Sequence, residues 1–97
     1  MNNMGNKTLI AEIENAVIIH DYDLAVAKIN ELGIDVVNLK AKVKNLEICY
    51  SKIAIVGGLL QDGFIINDEY YNIRQRIVNH LNREQTDFCL YLNRTTQ

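Results

Sequence analysis

A chain of 97 residues has room for one domain with a modest core. Its apolar share of 48% and charged share of 23% match an ordinary globular protein and argue against disorder along the whole length. A formal charge of −2 excludes bulk attraction to nucleic acid or to an acidic membrane. The charge is uneven: residues 1–34 are acidic, 35–62 carry a slight basic excess, and 63–97 are neutral. Proline is absent, which favours helices, because sandwiches and barrels use proline in turns and at edges. No basic-then-apolar export signal opens the chain, and no apolar run reaches the ~18–20 residues of a spanning helix. A cytoplasmic protein is expected, with Cys49 and Cys89 as reduced, buried small hydrophobes.

Residues 1–6 read as a disordered tail, and 7–97 as a single helical domain. From Lys7, the residues Leu9, Ile10, Ile13, Val17 and Ile18 recur at spacings of three and four, one face of a helix. "HDYD" (20–23) interrupts the pattern and offers Asp21 or Asp23 as a cap for a second helix. That helix carries Leu24, Ala25, Ala27, Ile29 and Leu32. It ends at Gly33, which accepts the left-handed turn that closes helices.

Asp35 is the expected cap of a third, long helix. Val36, Leu39, Val43, Leu46, Tyr50, Ile53, Gly57 and Leu60 follow at alternating spacings of three and four, a heptad stripe. Ala41, Ile48 and Ile55 lie farthest from that seam and are apolar too. So little polar circumference predicts a helix covered on most sides. A strand reading competes. Ile48, Ile53, Ile55 and Val56 are β-branched, and Gly57-Gly58 suits a tight turn, so an α+β alternative has a hairpin at about 46–66. The alternation fails at Ser51-Lys52, and a hairpin leaves the upstream heptads unexplained. The fold expected is all-α, a small bundle of about four helices with a long central one. Its paired glycines mark a bend or a close approach of another backbone.

Asn67 is the expected cap of the last helix, with Asp68 and Glu69 in its first turn. Tyr70, Ile73, Ile77 and Leu81 form its stripe. The polar run "NREQTD" (82–87) breaks the pattern before "FCLYL" (88–92), which either continues the helix or docks after a bend.

Chemistry-bearing patterns are sparse. The glycines have neither the GxGxxG nor the GK[ST] spacing that aims backbone amides at phosphate. HExxH, CxxC pairs and nucleophile elbows are missing. His20-Asp21 resembles the HD dipeptide of metal phosphohydrolases without that family's further ligands, and reads as an interhelix turn with a capping acid. His80 has no partnered carboxylate that would make it a general base. The expectation is a non-enzymatic protein with no catalytic residue, no cofactor and no metal.

Two segments carry local resemblances. "LAVAKINELGIDVVNLKAKVKN" (24–45) resembles a helix-turn-helix, which implies a DNA-binding transcriptional regulator with Lys40, Lys42 and Lys44 on phosphates. Ile29 stands where that motif usually has alanine, and the second helix outruns the usual recognition length. "HDYDLAVAKINEL" (20–32) resembles the helix junction of a tetratricopeptide-type repeat. It covers about a third of one repeat, with no second copy at the expected interval, so no family is assigned.

The physical surplus is apolar surface. Burying a large apolar side chain is worth ~1.5–3 kcal/mol, and a three- or four-helix chain has difficulty covering such a central helix along with residues 88–92. The leading expectation is therefore a small helical interaction protein, chaperone-, antitoxin/immunity- or phage-inhibitor-like. It self-associates as a homodimer, masks a partner protein, or does both. Its contact residues are expected to be Ile48, Ile55, Tyr71, Phe88, Leu90, Tyr91 and Leu92. DNA binding through the three lysines is the alternative.

Overall fold

In a computed structural model describing residues 3–97, the chain forms four helices: α1 (Asn3–Ile18), α2 (Tyr22–Leu32), α3 (Val36–Gln61) and α4 (Asn67–Thr95). Helical backbone begins at Asn3, inside the stretch expected as a tail, whose residues 1 and 2 lie outside the described residues. No strand occurs among the described residues, and the hairpin alternative at 46–66 falls. One helix of 26 residues runs through Gly57-Gly58 without interruption. The heptad repeat from Val36 onward outweighs the β-branched residues, which a helix tolerates when its sides are packed.

The turns follow backbone chemistry. Asp21 caps α2 as expected, its Oδ1 accepting the Leu24 N–H at 3.1 Å. Gly33 closes α2 at φ 70°, donating its N–H to the Ile29 carbonyl at 3.1 Å. Two other helix ends share one pattern. At the end of α1, Asp21 N–H reaches Ala16 O and His20 N–H reaches Val17 O. At the end of α3, Phe64 N–H reaches Leu59 O and Gly63 N–H reaches Leu60 O. Both are Schellman closures, which need a left-handed residue at the same place. Gly63 fills it at φ 81°, but His20 does so at φ 62°, with a side chain that disfavours the conformation.

Two expected caps differ. Asp35 precedes α3 at φ 49° and makes no capping bond. Its carboxylate accepts instead from Asn38 Nδ2 at 2.9 Å and from the Tyr91 hydroxyl, tying the α2–α3 turn to the end of α4. The cap position of α4 is Ile66 rather than Asn67, and Glu69 Oε1 reaches back to accept the Ile66 N–H at 3.0 Å. Beyond residue 81, α4 continues straight through "NREQTD". Leu81, Phe88 and Leu92 hold the inner face at spacings of seven and four, and the polar residues between them turn outward.

The molecule measures 57 × 19 × 19 Å. α3 and α4 lie side by side as one long pair; α1 packs on α2, α2 on α3, and α1 touches α4. The short α1–α2 hairpin covers only one end of that pair. There, Ile13, Val17, Ala25, Ile29, Leu39, Val43, Leu46, Phe88 and Leu92 make one apolar core with no buried polar side chain. Lys28 reinforces this base, reaching Glu12 of α1 at 2.7 Å and Glu31 of its own helix at 3.3 Å. Beyond Cys49 on α3 and before Leu81 on α4, the pair projects as a two-helix arm whose one buried apolar residue is Val56, itself 6% exposed.

Candidate interaction surface

The arm leaves α3 with one packed side and one free side. At ~100° per residue, Val37, Ala41, Ile48, Ile55 and Leu59 fall within a sector ~40° wide. That sector lies roughly opposite Leu39, Leu46 and Ile53, which face the core. Val37 is 82% exposed, Ile55 60%, Ile48 48% and Leu59 38%. The stripe is thus an apolar line along the outside of the rod, turned away from α1, α2 and α4. Exposed Lys44 and Lys52 flank it, one on each edge, so the apolar residues are set among the polar ones that helices of soluble proteins normally put there.

Further apolar groups surround the arm. Phe64 and Ile66 stand exposed in the α3–α4 turn at its tip. Tyr71, also exposed, meets the Tyr70 ring edge-on at 5.2 Å. Nearer the base, Leu90 is exposed and shares a shallow groove with Ile18 and Cys89.

The structure sorts the seven expected contact residues. Ile48, Ile55, Tyr71 and Leu90 are on the surface. Phe88 and Leu92 are not: both are buried in the four-helix base, because α4 continues as a helix and turns them inward. They hold the fold and are withdrawn from the surface. Tyr91 is half-buried and already engaged, its hydroxyl donated to Asp35 and its ring 4.4 Å beneath the Lys42 ammonium. The Asp35 carboxylate raises the Tyr91 pKa.

Sequence reasoning missed Val37, Leu59, Phe64 and Ile66. The first two were detectable, since each lies one helical turn beyond Ala41 or Ile55 on the same line. The tip pair had no periodic signal, because it stands in a turn.

The lysines of the DNA-binding alternative do not form one strip. Lys42 leaves the helix roughly opposite Lys40 and Lys44 and lies over Tyr91. Lys44 pairs with Glu47 at 3.2 Å. Lys40 and Lys44 also border a small pocket that Asp23 and Glu47 share, so acids dilute the local field.

His20 stacks on Tyr50 at 4.0 Å, and its Nδ1 lies 3.0 Å from the Tyr22 hydroxyl. This aromatic cluster locks the α1–α2 turn against the middle of α3, and the stacking accounts for a histidine in a glycine-like conformation. Burial foremost, with Tyr50 beside it, pushes the Tyr22 pKa up to about 12. His80 is exposed, with Glu84 3.9 Å away. Burial, then Glu14, pushes the Cys89 thiol up to about 11, and burial raises Cys49 as well. Both therefore stay protonated near neutrality. Among the described residues, no three His, Cys, Asp or Glu side chains converge as metal ligands, and no helix is long and apolar enough to cross a membrane. Comparison with known protein families, with characterised proteins and with solved structures returns no match.

Proposed function

We propose that this chain is a small, non-enzymatic interaction protein of the cytoplasm. It works by burying the outer face of α3, and the apolar tip of its arm, against protein. The occupant is a second copy of the chain, a partner whose helix it masks, or both in turn. The observation that carries this reading is the set of exposed apolar residues Val37, Ile48, Ile55 and Leu59 on one side of α3, spread over ~33 Å with Lys44, Ser51 and Lys52 between them and uncovered by the rest of the chain. Large apolar side chains aligned on one uncovered helix side, together with Phe64 and Ile66 at the tip, support an interaction site better than isolated exposed residues do. The base supplies stability and the arm supplies reach.

Size-exclusion chromatography with light scattering, joined to binding of a hydrophobic dye, tests the reading. The expected result is a species heavier than the 11.1 kDa chain, or a monomer that binds dye through its arm. A monomer that stays soluble and binds no dye would overturn it.

A further inference from the structure

We propose that the two-helix arm is a conformational device distinct from the base. Its outer part, residues 54–76, opens and recloses as one unit while the four-helix base stays folded.

Burial divides the chain this way. In the base, four helices share one apolar core in which Ile13, Val17, Ile29, Leu39 and Leu92 are completely covered. Cross-ties between helices sit there too: Tyr91 donates to Asp35, Asn93 donates to Glu14, and His20 stacks on Tyr50. Ile53 and Ile77 are the outermost residues that pack against that core. Farther out only Val56 is buried, and it stands apart from the core. Among the described residues, no side-chain hydrogen bond or ion pair joins α3 to α4 farther along the arm than the Cys49 thiol's long contact with the Ile77 carbonyl.

The seam of the arm is also poorly filled. Gly57 falls within ~20° of Leu46 around α3, on the inner line where the heptad calls for a large apolar residue. A β-carbon added at Gly57 or Gly58 meets nothing within 4 Å. The two glycines therefore contribute no packing across the seam, and each makes the helical state entropically less favourable than alanine does. Segments with few buried apolar contacts and mostly solvent-exposed backbone bonds open sub-globally, well before the whole chain unfolds. Here α3 and α4 open together, because the half-buried Leu60, Tyr70 and Ile73 have only the facing helix to pack on. The base holds the root of the arm fixed while the arm samples closed and open forms. This holds whether or not the arm docks on protein.

Native-state hydrogen exchange of the full chain in dilute solution tests the division, with amides compared along the same two helices. In the natural chain, the amides of Val56, Leu59 and Ile73 are expected to exchange ~10-fold faster, or more, than those of Val43 and Phe88. Ile29→Val, a mild truncation in the base, is expected to speed Val43 and Phe88 ~2–10-fold. The arm amides keep their rates in that variant, because they exchange through an opening that leaves Ile29 packed. The double variant G57A/G58A is expected to slow Val56 and Ile73 alike, by ~5–30-fold. Ile73 is the decisive reading, since it lies on α4 and carries neither substitution. Equal protection along both helices, or an Ile29→Val shift common to arm and base, would show one cooperative unit and overturn the proposal. Slowing confined to α3 in G57A/G58A would show fraying of a single helix and overturn it as well.

Discussion

Leu46 and Ile48 stand two positions apart on α3 and have opposite roles, so a matched pair of truncations separates folding from docking. Leu46 is 2% exposed in the core shared by all four helices. Leu46→Ala removes a full side chain and leaves a cavity, at a cost of ~2–5 kcal/mol of folding free energy. Ile48 has about half its surface free in one chain, and alanine has the higher helix propensity, so Ile48→Ala changes the stability of a single chain by less than ~1 kcal/mol. In the proposed contact, taken as one between two copies, the free half is covered. Half of a full isoleucine burial is ~0.7–1.5 kcal/mol, and both copies lose it, so dimerisation weakens by ~1.5–3 kcal/mol. That corresponds to a dissociation constant ~10–150-fold higher. Urea unfolding measured over a series of protein concentrations reads both effects, because only docking depends on concentration. Equal losses for the two variants under dilute, monomeric conditions would refute the assignment of an inner and an outer line. So would a Leu46→Ala cost below ~1 kcal/mol.

Three further outcomes follow from the geometry. Gly57 and Gly58 sit inside α3 with nothing within 4 Å of an added β-carbon, so G57A and G58A should each raise stability by ~0.5–1 kcal/mol in urea unfolding. A loss instead would show another backbone lying against them. The Tyr22 hydroxyl titrates at about 12 when folded against 10.0 unfolded. The unfolded chain therefore releases that proton first, and stability declines as pH rises from 10 towards 12. Tyr22→Phe should flatten that decline and delete the highest-pH step of the tyrosine absorbance titration. Cys89, pushed up to about 11, and the raised, buried Cys49 should react with iodoacetamide near neutral pH far more slowly than in urea. Equal rates would deny the burial of Cys49 and the partial burial of Cys89.

Much of this architecture is legible in the residues themselves. The heptads from Val36 mark a long helix, Gly33 and Gly63 mark helix ends, and Asp21 marks a beginning, because each depends on local backbone chemistry or simple periodicity. Where the reading fails, tertiary packing decides. Phe88 and Leu92 looked adhesive because "NREQTD" hid their register with Leu81; only the α1–α2 hairpin docking on the base shows which way they turn. Asp35 looked like a cap, but the left-handed turn re-aimed its carboxylate towards Tyr91, 56 positions away. The outer line was half visible in Ala41, Ile48 and Ile55. Its extension to Val37 and Leu59 stands out once the length of α3 and its uncovered side are known.

Diazirine footprinting of the natural chain, read residue by residue along 37–59, addresses the central claim most directly. At concentrations where the chain is assembled, Ile48 and Ile55 should label weakly while Phe64 at the tip labels strongly, and dilution or Ile55→Lys should bring Ile48 up to the level of Phe64. Strong labelling of Ile48 and Ile55 at every concentration, with or without the natural partner present, would contradict the claim that the outer face of α3 exists to be covered.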